Sequence, residues 1–229
     1  MASDKVNVIT LYWVGDFRNR DFTPRDVDRL YFTVEKHIDR PFDFYVLTND
    51  MKADVPGTKI ELLHGDDWPG WWSKMELHRP DLPAGRTLYL DLDSHVIRSL
   101  ASILDYDGDL VMFGARSNAK KQDPTIVHRY QAATMLFTPG KMTWLYEKFL
   151  QDWDYYVTHY RSDQDVMGDW VPALPTFPDK WLLKLGDVHK NRAKYRNAPP
   201  EDTIIVTGQP KSGLFRRTYE IKWLEKMAR

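Results

Sequence analysis

The run from Arg86 to Asp93, RTLYLDLD, constrains this chain more than any other segment. Thr87 to Leu90 is mostly apolar and lacks a regular polar alternation. It therefore reads as a strand buried on both faces, and such strands belong inside a largely parallel sheet covered by helices. The strand runs straight into two carboxylates, Asp91 and Asp93. Acidic side chains then stand at the carboxyl edge of the sheet, where open α/β sheets bind their ligands.

The segments before it fit that sheet. VNVITLY reads as a first strand, and a helix follows with Thr23 as cap, Pro24 at its first position and an apolar face of Val27, Leu30, Tyr31, Val34 and Ile38. Pro41 stops it. DFYVLTND and TKIELLH read as the next strands, and SKMELHRP as a brief helix closed before Pro80. Downstream come a short helix near 99–104, strands at Leu110 to Phe113 and Ala132 to Thr138, and a helix from Pro139 to Trp153. A further helix enters at Ser162, TIIV is a last strand, and a terminal helix begins near Arg217. The pattern predicts one α/β domain over residues 1–229, Rossmann-like, with a mixed, mainly parallel central sheet flanked by helices.

Charge and composition narrow the function. Lys and Arg total 32 against 33 Asp and Glu, and no long basic run exists, so a dedicated nucleic-acid binder is not expected. The absence of cysteine removes disulfides, thiolate metal sites and a cysteine nucleophile. The N-terminus lacks a secretory pattern and no stretch approaches a membrane span, so the expectation is a soluble cytoplasmic protein. The histidines show no zinc spacing, and neither a Walker loop nor a GxGxxG fingerprint occurs.

Two aspartates separated by one residue at a strand end lie on the same side of the pleat and can share one hard cation, Mn²⁺ or Mg²⁺. Such a cation suits a diphosphate, because it neutralises charge on a departing nucleoside diphosphate. The competing reading of the triplet is a solvated turn.

Over GWWSKMELHRPDLPAGRTLYLDLDSHVI the chain resembles nucleotide-sugar-dependent glycosyltransferases of the GT-A fold, relatives of the family-eight enzymes of bacterial and viral type. In that group a Trp-x-Lys-Leu-Glu-Leu segment leads through a Leu-Tyr-Leu-Asp strand into an Asp-x-Asp metal motif. Here the order is Trp72, Ser73, Lys74, Met75, Glu76, Leu77, then Leu90 to Asp93. The likeness continues upstream at Trp13 to Asp16, Arg29 to Leu30 and Arg40 to Asp50. Downstream it continues in TMLFTPG and in Asp163, Gln164 and Asp165.

The resemblance implies a sugar transferase acting between a nucleoside diphosphate sugar, UDP-linked above all, and an acceptor hydroxyl. It implies that Tyr12, Trp13, Thr48 and Asp50 border base and ribose, that Lys74 approaches the donor, and that Asp91 and Asp93 hold the metal. Asp163 and Gln164 would face the transferred sugar, with Trp72 and Asp165 beside the substrate. The relatives carry a C-terminal His and Lys pair. Here Lys211 keeps the phosphate-binding position, but Thr207 stands where the metal-binding His is expected, leaving His189 or water to complete the shell. Two other readings stand beside this one. One is a phosphohydrolase of the haloacid dehalogenase type, with Asp91 as nucleophile, although a complete βαβ unit precedes the motif. The other is an inactive nucleotide-sugar-binding scaffold.

Overall fold

β1 (Val6–Tyr12) is buried along its whole length and runs parallel to β2 (Phe42–Thr48) on one side and β4 (Thr87–Leu90) on the other. A strand with no solvated face needs no polar alternation, which is why VNVITLY is β-branched and apolar nearly throughout. This sheet belongs to a computed structural model that describes residues 5–17, 22–115 and 129–208 together with Trp223. β3 (Thr58–Glu61) continues it in parallel beyond β2.

On the far side the direction changes. β7 (Tyr130–Phe137) pairs antiparallel with both β4 and β6 (Leu110–Gly114), and the short β8 (Thr176–Phe177) pairs parallel with β6. The order is β3-β2-β1-β4-β7-β6-β8, and β7 alone opposes the rest. This is the mixed, mainly parallel sheet expected from the sequence.

A second, three-stranded sheet carries β5 (Ser94–Val96), β10 (Ile205–Thr207) and β9 (Leu182–Lys184), with β10 central. Its Val96, Leu182 and Ile205 share one apolar cluster with Val8 and Leu90 of the large sheet. β5, β8 and β9 have no counterpart among the expected elements, since two or three residues are too few to show a period.

Helices cover both faces. α1 (Pro24–His37) buries Val27, Leu30 and Val34 against one face, with Tyr31 and Ile38 partly buried at its margin. Its start is fixed as the sequence suggests: Pro24 takes the first turn, and the Thr23 backbone N–H donates to Asp26 Oδ2 at 2.9 Å. Ile38 then leaves the helix in extended geometry ahead of Pro41.

The other face is covered by a 3-10 helix (Gly70–His78), α3 (Thr143–Gln151) and α5 (Asp163–Trp170), which pack with Ile9, Leu11, Leu47 and Tyr89. The segment expected as a brief helix from Ser73 thus begins at Gly70 and is 3-10, with every residue from Trp72 to His78 buried. The helix expected over 139–153 starts later, at Thr143, and breaks at Asp152 before α4 (Trp153–His159). Short helices α2 (Ala101–Leu104), α6 (Leu185–Lys190) and α7 (Arg192–Tyr195) and a 3-10 turn at Asp179–Trp181 complete the described helices. The terminal helix expected from Arg217 lies outside the described residues except for helical Trp223, whose indole N–H donates to the Tyr195 carbonyl at 2.7 Å. Among the described residues no helix is long and apolar enough to cross a membrane.

Candidate active site

β4 ends at Leu90, one residue short of the acidic pair. Asp91, Leu92 and Asp93 are therefore not a continuing strand, as pleat alternation implied, but a tight turn in which the Ser94 N–H donates to the Asp91 carbonyl at 2.9 Å. The turn carries the chain from the large sheet into β5 of the small one. Three neighbours fix it. The Asp91 N–H donates to the Ala133 carbonyl of β7 at 2.9 Å, Arg29 of α1 donates to the Leu92 carbonyl, and the Gly208 N–H donates to the Asp93 carbonyl at 3.1 Å. Arg29 is itself held by Asp26 at 2.6 Å. Despite the turn, both carboxylates line a single cavity, together with Lys74 and Tyr89.

Asp91 is the hub of that cavity. Its Oδ1 accepts the phenol of Tyr89 at 2.5 Å and meets the Lys74 ammonium at 2.7 Å. Burial alone would drive the Lys74 ammonium down, but Asp91, Asp163 and Asp93 outweigh it and hold the group above its ordinary value. Lys74 is thus a buried, charged cation at neutral pH. Burial and Asp91 push the Tyr89 phenol well up, so it stays a donor.

Asp163, at the first turn of α5, is 3% exposed, and burial raises its carboxyl to about 6 against the pull of Lys74, with Asp91 adding to the rise. A helix N-terminus favours this carboxylate electrostatically, yet desolvation wins. Gln164 is fixed differently: its Oε1 accepts the Ala132 N–H at 3.2 Å, while the Ala132 carbonyl accepts from Lys74 at 3.4 Å. Asp165 is also buried. β7 outruns β4 at this end, which is how Ala132 and Ala133 come to support Gln164, Lys74 and Asp91 together.

The remaining sequence candidates divide. Trp13 lines the cavity with Phe17 and Trp71. Tyr12 points to the opposite face of the sheet, into the cluster with Phe44 and Val46, so the pleat separates two neighbours expected to act together. Thr48 pairs in register with Tyr12, and its hydroxyl accepts the Asp50 N–H at 3.0 Å. Tyr12, Thr48 and Asp50 form their own group at the ends of β1 and β2, outside the cavity lining.

Trp72 requires a correction. It is 2% exposed and stacks on Phe149 with ring centroids 5.8 Å apart, which makes it core; its neighbour Trp71 faces the cavity instead. Lys211 lies outside the described residues. Tyr89, Arg29 and Phe17 are functional candidates that pattern reading passed over, whereas it leaves the Trp71–Trp72 pair as one core ring and one pocket ring without deciding which is which. Only Tyr89 had a usable signal, two residues before Asp91 on the same side of the strand.

The donor set accommodates a hard cation only in part. Asp91 and Asp93 offer carboxylate oxygens, and Thr207 sits beside them, paired with Ser94 across the β10–β5 ladder. Among the described residues no group of three His, Asp or Glu side chains converges on a metal position, so His189 does not complete a trio. Two carboxylates fit a Mg²⁺-like ion that takes the rest of its shell from phosphate oxygens and water.

The fold is similar to that of solved GT-A-type glycosyltransferases. An active-site mutant of LgtC superposes with a TM-score of 0.62 at 14% identity, covering 95% of each chain. The galactosyltransferase LgtC in complex with donor and acceptor sugar analogs gives 0.57 at 14% identity, again over 95% of each. The glycosyltransferase GlyE of Streptococcus pneumoniae TIGR4 gives 0.61 at 15% identity over 90% of this chain, which spans 55% of the GlyE structure. No protein-family model and no curated protein sequence matches the chain.

Proposed function

We propose that the chain transfers a sugar from a nucleoside diphosphate sugar, UDP-linked by its family resemblance, to an acceptor hydroxyl, with Mn²⁺ or Mg²⁺ at Asp91 and Asp93. The observation that carries this reading is the charge balance at the strand end. Asp91, Asp93 and Asp163 act on the Lys74 ammonium, and Asp91 and Asp165 act on Asp163. Such a cluster repels a diphosphate on its own and becomes a receptor for one once a divalent ion is present. A cation there supplies neutralisation of charge on the departing diphosphate.

The chain's own groups take the other roles. Lys74 stays charged and offers a donor to phosphate or sugar oxygens, while Tyr89 and Lys74 together hold Asp91 in one orientation. Asp163 faces the transferred sugar, where a carboxylate binds hydroxyls and supports positive charge developing at the anomeric carbon. Gln164, tied to β7, orients the same group. Tyr12, Thr48 and Asp50 border base and ribose, and Lys211 meets the diphosphate, as the resemblance implies. The LgtC structure with donor and acceptor analogs supports the reading that this fold accommodates both substrates. The GT-A fold takes away the main support for the phosphohydrolase alternative.

The test is a thermal-shift screen against UDP, GDP, CDP and their sugars, with Mn²⁺ or with EDTA, followed by turnover of Asp93→Asn. A manganese-dependent shift with one nucleotide series is expected, because ligands selective for the folded state raise its midpoint. Transfer by Asp93→Asn should fall by several orders of magnitude. Near-normal turnover with Mn²⁺ present would remove Asp93 from the site, and no shift with any nucleotide would sink the reading.

A further inference from the structure

The cavity lining combines two unlike sets of side chains. One is charged, with Lys74, Asp91 and Asp93; the other is a corner of three aromatic rings, Trp13, Phe17 and Trp71. Phe17 meets Trp13 at 79° and Trp71 at 75°, so adjacent faces stand nearly perpendicular. Two glycines seat these rings. A β-carbon at Gly15 would lie 2.2 Å from the Trp13 ring, and one at Gly70, where φ is +60°, would lie 2.2 Å from the Phe17 ring. The backbone is thereby closed against the rings, and the corner is a built surface.

We infer that the Trp13–Phe17–Trp71 corner is a pyranose-ring subsite facing the carboxylates, an inference that rests on the sugar-transfer reading above. A planar base stacks best in a parallel-walled slot and needs in-plane amide partners. Phe17 stands edge-on to both indoles and carries no hydrogen-bonding group, and the Trp13 indole N–H is already committed to the Gly65 carbonyl at 2.7 Å. A pyranose instead presents apolar C–H faces to aromatic rings and equatorial hydroxyls to charged groups, which matches aromatic rings that line one cavity with Lys74 and Asp91. The Tyr12, Thr48 and Asp50 group, outside the cavity lining at the ends of β1 and β2, leaves the base a separate place.

The ring belongs either to the donor or to the acceptor, and the experiment separates them. Trp71→Ala and Phe17→Ala, with Trp71→Phe and Phe17→Leu as gentler variants, are titrated with UDP and a panel of UDP-hexoses in Mn²⁺. They are then assayed for UDP-hexose hydrolysis without acceptor and for transfer to methyl hexosides. UDP affinity should stay within about twofold of wild type. For a donor ring, the affinity gained by UDP-hexose over UDP falls about tenfold and hydrolysis slows; for an acceptor ring, those hold and the acceptor KM rises about tenfold. In either case Trp71→Phe should restore part of the loss. Unchanged values throughout overturn the subsite, as does a parallel drop in UDP affinity. If wild type binds no UDP-hexose, the transfer reading fails. Saturation-transfer NMR with methyl hexosides alone then decides the corner: signals lost in Trp71→Ala uphold it, and no signal in wild type overturns it.

Discussion

Tyr89 of β4 and Asp91, two residues on in the turn that follows the strand, are joined by a 2.5 Å hydrogen bond from the phenol to the carboxylate oxygen that also pairs with Lys74. The phenol is fully buried and stays protonated, so its contribution is a fixed, neutral donor. Tyr89→Phe deletes a hydrogen bond to a charged group, worth about 1.5–3 kcal/mol. The expected result is that loss in denaturant stability together with about tenfold weaker Mn²⁺-dependent UDP binding by calorimetry. Stability loss with unchanged UDP affinity would show that Tyr89 supports the fold and not the orientation of Asp91.

Glu76 belongs to the same resemblance motif as Lys74 but does a different job. Its carboxylate, with no exposed surface, accepts the Leu63 and His64 N–H groups at 2.9 and 2.8 Å and pairs with buried Arg79 at 2.7 Å. Removing one partner of a buried pair strands the other, at a cost of about 3–5 kcal/mol. Glu76→Ala should therefore fail to fold or show a stability loss of that size by chemical denaturation. A loss under about 1 kcal/mol would contradict the clamp.

Thr207 lies opposite Ser94, one residue past Asp93, so an imidazole placed there is well situated to add a nitrogen ligand. Thr207→His should tighten Mn²⁺ binding about tenfold or more by calorimetry. An unchanged dissociation constant would show that the position does not border the metal.

His78 gives the protein an acid sensitivity of predictable sign. Burial lowers its imidazole to about 4 from an ordinary 6.5. Between those values the unfolded chain binds a proton that the folded chain does not. Stability is therefore full above pH 6.5 and is lost as pH falls toward 4, by at most about 1.4 kcal/mol per pH unit for this one group. Urea midpoints measured from pH 7 to 4.5 should fall more steeply for wild type than for His78→Gln, and parallel slopes would refute the assignment.

Most of the frame was legible because it rests on local signals. The β1 run, the Thr23–Pro24 helix start and the RTLYL strand each carry their own periodicity or cap. What stayed hidden depends on contacts distant in sequence. Trp71 and Trp72 are chemically identical neighbours, and only packing against Phe149 decides which is core. Tyr12 and Trp13 read as one motif until the pleat sends them to opposite faces. Strands of two or three residues, such as β5 and β9, exist only because β10 pairs between them.

The Asp91–Leu92–Asp93 turn joins two sheets, with Asp91 tied to β7 of the larger and Asp93 to Gly208 beside β10 of the smaller. A ligand that grips both carboxylates therefore spans a mechanical seam. It acts as a cross-brace, so the small sheet should show slower amide exchange in the liganded protein even where it touches no ligand.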